Sequence, residues 1–273
     1  MRKNRIISAF VAVPVVYLFI LWGGLPFFLL ITAVILGGLM EFYNMLSKND
    51  IPVTRWWGYL ISMALLVNAY LITSGKYVTW AKDFYTLIFT LMVPGLAVIL
   101  ILKKDIKESV ADLGMTSFSV VYITWLIMHA IFLRETKPLG YEFTLLTVIC
   151  IWISDTSAYF IGLKYGRSRL HVASPNKSKI GAFGALGASI LTAIILKFIM
   201  GLDFMSLPES AFLGGIIGLA VIFGDLTESM IKRSLDCDDS GKFLPGHGGI
   251  LDRVDSLIFA VPAVYYYLRW MVI

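Results

Sequence analysis

Long uncharged, apolar stretches alternate along this chain with short polar ones. About 20 apolar residues, rising about 1.5 Å each, cross the roughly 30 Å of hydrocarbon in a bilayer. Nine stretches suit that length, each predicted as a helix. Residues 6–40 carry no charge but are interrupted by Trp22-Gly23-Gly24-Leu25-Pro26, which predicts two short spans joined by a tight turn. The remaining seven cover 56–74, 84–102, 113–133, 143–163, 180–200, 211–231 and 254–272. No small-residue cleavage site follows the first stretch, so it reads as a retained anchor and not as a removed signal.

Composition agrees with this pattern. Hydrophobic residues make up 58% of the 273 and charged ones 15%, with a mean hydropathy of +0.81. Soluble domains carry about 25% charged residues, so a water-soluble globule is excluded. The expected fold class is all-α: a polytopic integral membrane protein of about nine transmembrane helices. Basic residues set its sidedness. With a cytoplasmic N-terminus, the cytoplasmic side holds the N-terminal cluster and segments 48–55, 103–107, 164–179 and 232–253. Those hold 17 of the 23 Lys and Arg; Lys76, Lys82, Arg134, Lys137, Lys197 and Arg269 make the other 6. No long linker or internal repeat divides the chain. It reads as one transmembrane domain, with 1–142 mainly scaffold and 143–273 the catalytic half.

Acids inside apolar spans point to function, because an ionised carboxylate facing lipid is costly. Asp155 lies in the sixth span and Asp225 in the eighth, with Glu228 one turn beyond. Asp155 is seven residues before Gly162 and Asp225 seven before Lys232. Both should sit roughly 10 Å below the cytoplasmic surface, which suggests a shared polar cavity. Asp155 has no acidic neighbour in sequence. Asp225, Ser229 and Lys232 fall at i, i+4 and i+7, on one helix face. The following loop carries Asp236, Asp238, Asp239, Asp252 and Asp255, with glycines at 241, 246, 248 and 249. Glycines let backbone amides approach an anion closely. Carboxylates, a hydroxyl, cations and such a loop suit magnesium with a polyphosphate. The loop Ser174-Pro175-Asn176-Lys177-Ser178-Lys179 offers further phosphate donors, or reads as a basic loop meeting anionic headgroups. Gly181, Gly184 and Gly187 after it suit helix packing. His247, between glycines, could serve a metal, a phosphate or a proton; with His129 and His171 distant, zinc is not expected. Cys150 and Cys237 lie in unlike settings, so no disulfide is expected.

One run carries a resemblance. Ser229-Met-Ile-Lys232-Arg233, then Asp239-Ser-Gly, then Pro245-Gly-His-Gly-Gly-Ile-Leu-Asp252-Arg253-Val-Asp255 resembles the signature of phosphatidate cytidylyltransferases. Asp155 with Ala158, Tyr159, Gly162 and Gly166, and the Ser174–Ser178 loop, resemble two further elements of that family. Two positions depart from its pattern. Asp238 stands where the family usually has Lys, and Ile180 precedes Gly181 where it usually has an acid. The resemblance implies transfer of the cytidylyl group of CTP to phosphatidate, giving CDP-diacylglycerol and pyrophosphate. It implies Asp225, Ser229, Lys232, Asp252 and Asp255 as catalytic, with Mg2+ on Asp225 and Asp252 and room for a second cation. Ser174, Lys177, Lys232, Arg233, His247, Gly248, Gly249 and Arg253 would bind substrate. CTP, phosphatidate and membrane lipids are the expected partners, not nucleic acid; a homodimer is left open. The location implied is the bacterial cytoplasmic membrane, with the active site facing the cytoplasm. A CTP-dependent lipid kinase and a secondary transporter are the alternatives. A CDP-alcohol phosphotransferase is disfavoured, since its Asp-Gly…Ala-Arg motif is absent.

Overall fold

The computed structural model describes residues 13–75, 78–103, 106–241 and 248–272, apart from the side chains at 78, 79, 82 and 176. Residues 1–12, Lys76, Lys104, Lys242 and His247 therefore lie outside the described residues. The protein is all-α and polytopic. Seven described helices are long and apolar enough to cross a membrane. They are α2 (Gly24–Lys48), α3 (Arg55–Thr73), α4 (Val78–Leu102), α5 (Ser109–Glu135), α6 (Gly140–Tyr165), α7 (Lys179–Ile199) and α8 (Leu207–Ser234). The shorter helices are α1 (Val13–Trp22) and α9 (Leu251–Tyr267), the latter extended by a π-helical turn at Leu268–Val272. The described residues form two compact units, one drawn from Met1–Glu135 with Asp239–Leu251 and the other from Thr136–Asp238 with Asp252–Ile273.

In the first unit the expected break between α1 and α2 falls at Gly23 and Gly24, with φ of 61° and 51°. L side chains rarely adopt that region. The end of α5 holds the turn. Arg134 Nε donates to the Ile20 carbonyl at 2.5 Å, and Glu135 Oε1 accepts from the Gly24 amide at 2.7 Å. A cation thus meets free carbonyls and a carboxylate meets a free amide, each where the helix dipole favours it. Asp112 of α5 is buried and bonded through both oxygens, to the Thr54 amide at 2.6 Å and the Thr54 hydroxyl at 2.8 Å. Tyr43 of α2 bonds Ser119, and Ser62 of α3 bonds Thr124. Such interhelical bonds hold helices together where lipid supplies no hydrophobic drive.

Small residues pack the second unit. A Cβ on Gly181 would lie 2.8 Å from the Ala158 carbonyl oxygen, and one on Gly214 2.7 Å from Ile190 Cα. Gly184 packs on Ile161, whereas Gly187 meets nothing within 4 Å, so two of the three expected packing glycines act as such. Ser154 of α6 donates to the Ala185 carbonyl of α7 at 3.0 Å. Between α6 and α7 the expected basic loop is a short antiparallel hairpin of β1 (Arg169–His171) and β2 (Ser174–Ser178). Ser178 then caps α7, its hydroxyl accepting from the Gly181 amide at 3.1 Å. Both cysteines are free thiols.

Gly224 marks the close approach of α8 and α9: a Cβ there would lie 2.5 Å from the Asp255 carbonyl oxygen. Gly224→Val should destabilise the detergent-solubilised protein by about 1–3 kcal/mol through overpacking. Gly187→Ala should be neutral or stabilise by up to about 1 kcal/mol. Thermal unfolding of the two variants side by side checks the contrast; equal melting temperatures would contradict the close approach.

Candidate active site

The second unit contains a partly open cavity of about 610 Å³. The face of α6 bearing Asp155, Ala158, Tyr159 and Gly162, at i, i+3, i+4 and i+7, forms one wall. The hairpin supplies Lys177 and Ser178, α8 supplies Val221, Ile222 and Asp225, and the first turn of α9 supplies Asp252, Arg253 and Asp255. Asp155 and Asp225 thus share a cavity, as their matched depths suggested. The lack of acidic neighbours noted for Asp155 holds only in sequence: three other carboxylates line the same space, brought there by α8 and α9.

Cations balance these acids. Lys177 contacts Asp225. Burial pushes the Lys177 ammonium below the ordinary lysine range, against the opposing pull of Asp255, Asp155 and Glu228. The Lys232 ammonium lies 2.6 Å from Asp252 Oδ1 and 2.7 Å from Glu228 Oε2. Glu228 is 4% exposed, so Lys232 is held between two carboxylates, one of them buried. The sequence reading did not place Glu228 in the site. Its signal was the Glu-to-Lys spacing of i to i+4, which favours an ion pair.

The other expected site residues fall elsewhere. Ser229 and Ser174 are not among the cavity-lining residues. Arg233 pairs with Asp238 at 2.5 Å on an exposed edge. The hydrogen bond and charge of Arg233 hold the Asp238 carboxyl below the usual carboxylate range, so the pair stays ionised at neutral pH. Gly248 and Gly249 belong to the first unit, where Gly249 packs on Ser240 and Glu41. The anion met by the amides beside Gly249 is thus the protein's own Glu41 carboxylate.

A sequence model of the cytidylyltransferase family matches residues 3–271. The chain is 30% identical to a phosphatidate cytidylyltransferase of Synechocystis sp., over 98% of this chain and 97% of that protein. It is 31% identical to a phosphatidate cytidylyltransferase of Bacillus subtilis, over 97% of each. A third, from Thermotoga maritima, is 34% identical over 64% of this chain and 66% of its own. The chain belongs to the cytidylyltransferase family. The matched region takes in the cavity acids, both lysines and the hairpin.

Among the described residues, no group of three or more His, Cys, Asp or Glu is gathered closely enough to hold a metal by itself. The donors nonetheless suit magnesium, which commonly takes one or two carboxylates and leaves its other positions to phosphate oxygens and water. Five carboxyl groups, those of Asp155, Asp225, Glu228, Asp252 and Asp255, stand against three cations, Lys177, Lys232 and Arg253. Acids thus outnumber cations around this space, which leaves carboxyl oxygens for a divalent cation to use.

Lys232→Met leaves Glu228 and Asp252 without their shared cation. Removing one partner from a buried ion pair costs about 3–5 kcal/mol, and thermal unfolding should show a loss of that order. Adding Glu228→Gln should recover part of it. A double variant no more stable than Lys232→Met would argue against the bridge.

Proposed function

We propose that this protein transfers the cytidylyl group of CTP to phosphatidate, forming CDP-diacylglycerol and releasing pyrophosphate for phospholipid biosynthesis. Membership of the family and the names of its full-length relatives support the reaction class. The observation that carries it is the convergence of Asp155, Asp225, Asp252 and Asp255 with Lys177 and Arg253 in one cavity. Leu163, Ala182, Val221 and Ile222 line the same space, so it offers apolar walls as well as charge. One substrate is a lipid and the other a polyanion, and each finds a matching surface.

Little proton transfer is needed, because the lipid phosphate is already an oxyanion. Its oxygen forms a bond to the α-phosphorus as the bond to the bridging oxygen of pyrophosphate breaks, and the electron pair leaves with pyrophosphate. The barrier is repulsion between two anions and the charge gathering on the leaving group. Lys177 and Arg253 lower that repulsion by offering cations to the phosphates, and Lys232 adds a third beside Asp252. Asp225 and Asp252 are the residues that would hold magnesium. When bound, magnesium supplies neutralising charge for the leaving pyrophosphate.

The cavity faces the cytoplasm of a bacterial cell in this reading, supported by the 17 to 6 division of basic residues. Arg167 is exposed between α6 and β1. Arg167→Cys should react with an impermeant thiol reagent only when the cytoplasmic face is accessible. Labelling from the opposite face alone would reverse the orientation.

CTP labelled at the α-phosphate should pass its label to phosphatidate, and label at the γ position should leave in pyrophosphate. Transfer of the γ label to lipid would instead identify a lipid kinase. Asp225→Asn and Asp252→Asn should each lose about 100- to 1,000-fold in turnover, the usual cost of one electrostatic group at a reacting centre. Both should lose most of their response to magnesium, while Asp155→Asn loses less and keeps it. Near-normal activity of Asp252→Asn with an unchanged magnesium titration would overturn the metal assignment.

A further inference from the structure

Glu41 sits within an apolar helix and is 4% exposed, yet cytidylyl transfer assigns it no part. Every contact of its carboxylate described here is made within the first unit, to the two ends of the glycine-rich segment. Oε1 accepts from the Ile250 amide at 2.8 Å. Oε2 accepts from the Leu251 amide at 3.0 Å and from the Ser240 hydroxyl at 3.1 Å. Gly241 and Gly249 close the enclosure. A side chain on either would overlap the carboxylate, and one on Gly249 would also overlap Ser240. Ile250 packs in turn on Gly37, one helical turn before Glu41.

These contacts explain two glycines that otherwise read as phosphate-approach residues. Successive amides that converge on one point form an anion-binding concavity, and here a side chain of the same protein fills it. The amides held are those of Ile250 and Leu251, and the next residue is Asp252. The first amides of a helix have no partner within it. Glu41 therefore anchors the start of α9 by its free donors.

We propose that Glu41 is a positioning residue for cytidylyl transfer: its carboxylate closes the neck of the 240–251 segment and so fixes where Asp252 begins the last helix. The inference rests on the cytidylyl-transfer reading for its consequence, but not for the geometry. A displacement of about 1 Å at a reacting centre can cost about 100-fold in rate, and Asp252 is joined to the clamped residues by a single peptide bond.

The test compares the full-length wild type with Glu41→Ala and Glu41→Gln in detergent–phospholipid micelles. Two readouts are taken: deuterium uptake by peptides covering 248–252, which needs no activity, and kcat and KM for both substrates. Glu41→Ala should speed exchange at 250 and 251 while peptides from α3 and α7 keep wild-type rates. Its kcat should fall about 100-fold with both KM values little changed. Added acetate, which can occupy the emptied concavity, should restore part of the protection and part of kcat; chloride at the same ionic strength should not. Glu41→Gln, with an NH2 set against a backbone donor, should lie between the two. If Glu41→Ala fails to insert, Glu41→Gln and Ser240→Ala carry the same readouts. Unchanged exchange at 250 and 251 overturns the proposal, as does wild-type kcat or a loss that follows the unfolded fraction without response to acetate. A wild type protected at 250 and 251 that transfers no cytidylyl group counts against the function instead, and the clamp then stands or falls on the exchange data.

Discussion

A carboxylate in an apolar helix must find a cation or a hydrogen-bond donor, and the second unit is arranged around that requirement. Its cavity gathers four aspartates, and Glu228 adjoins them through Lys232. None of these acids could face lipid without a cost of several kcal/mol. Lys177, carried by the hairpin, reaches Asp225; Lys232, carried by α8 itself, reaches back to Glu228 and across to Asp252. The lysines thus balance buried and half-buried acids within one unit. Five carboxyl groups stand against three cations around this space.

Close backbone approach makes this arrangement possible. The glycines at 181, 214 and 224 stand where a Cβ would meet a neighbouring backbone at under 3 Å. Gly224 brings together the two acid-bearing helices α8 and α9, while Gly181 and Gly214 seat α6 and α8 against α7, which carries no acid. The hairpin contributes differently. Its second strand ends in Ser178, which caps α7 and lines the cavity beside Lys177. One short segment therefore starts a helix and delivers a cation.

Asp238 marks a departure from the signature that the sequence resembles. In this protein the aspartate holds the Arg233 guanidinium in an exposed pair. Arg233 was expected to bind phosphate, and the pair engages its charge at the edge of the unit. Exposed pairs of this kind contribute little to stability.

The sequence alone determined the helical membrane class, the α1–α2 break at Gly23 and Gly24, and the main polar residues of the cavity. Those depend on length, hydropathy and backbone freedom, all of which are local. Hydropathy over about 20 residues needs no partner to be read, and charges that interrupt it stand out. Glu41 was overlooked because it lies just past the 6–40 stretch, where an acid reads as a boundary residue; Glu228 was noted as an acid within a span, but its partners were not legible. Only the tertiary structure decided that Glu228 shares Lys232 with Asp252, and that the glycines at 241 and 249 lie against the Glu41 carboxylate. It also decided that Ser229 falls outside the lining while Asp155 joins three other acids. A 3.6-residue repeat shows which residues share a helix face, but not which neighbour that face will meet. The neighbour is chosen by packing between segments far apart in the chain, and there the electrostatics of the site are settled.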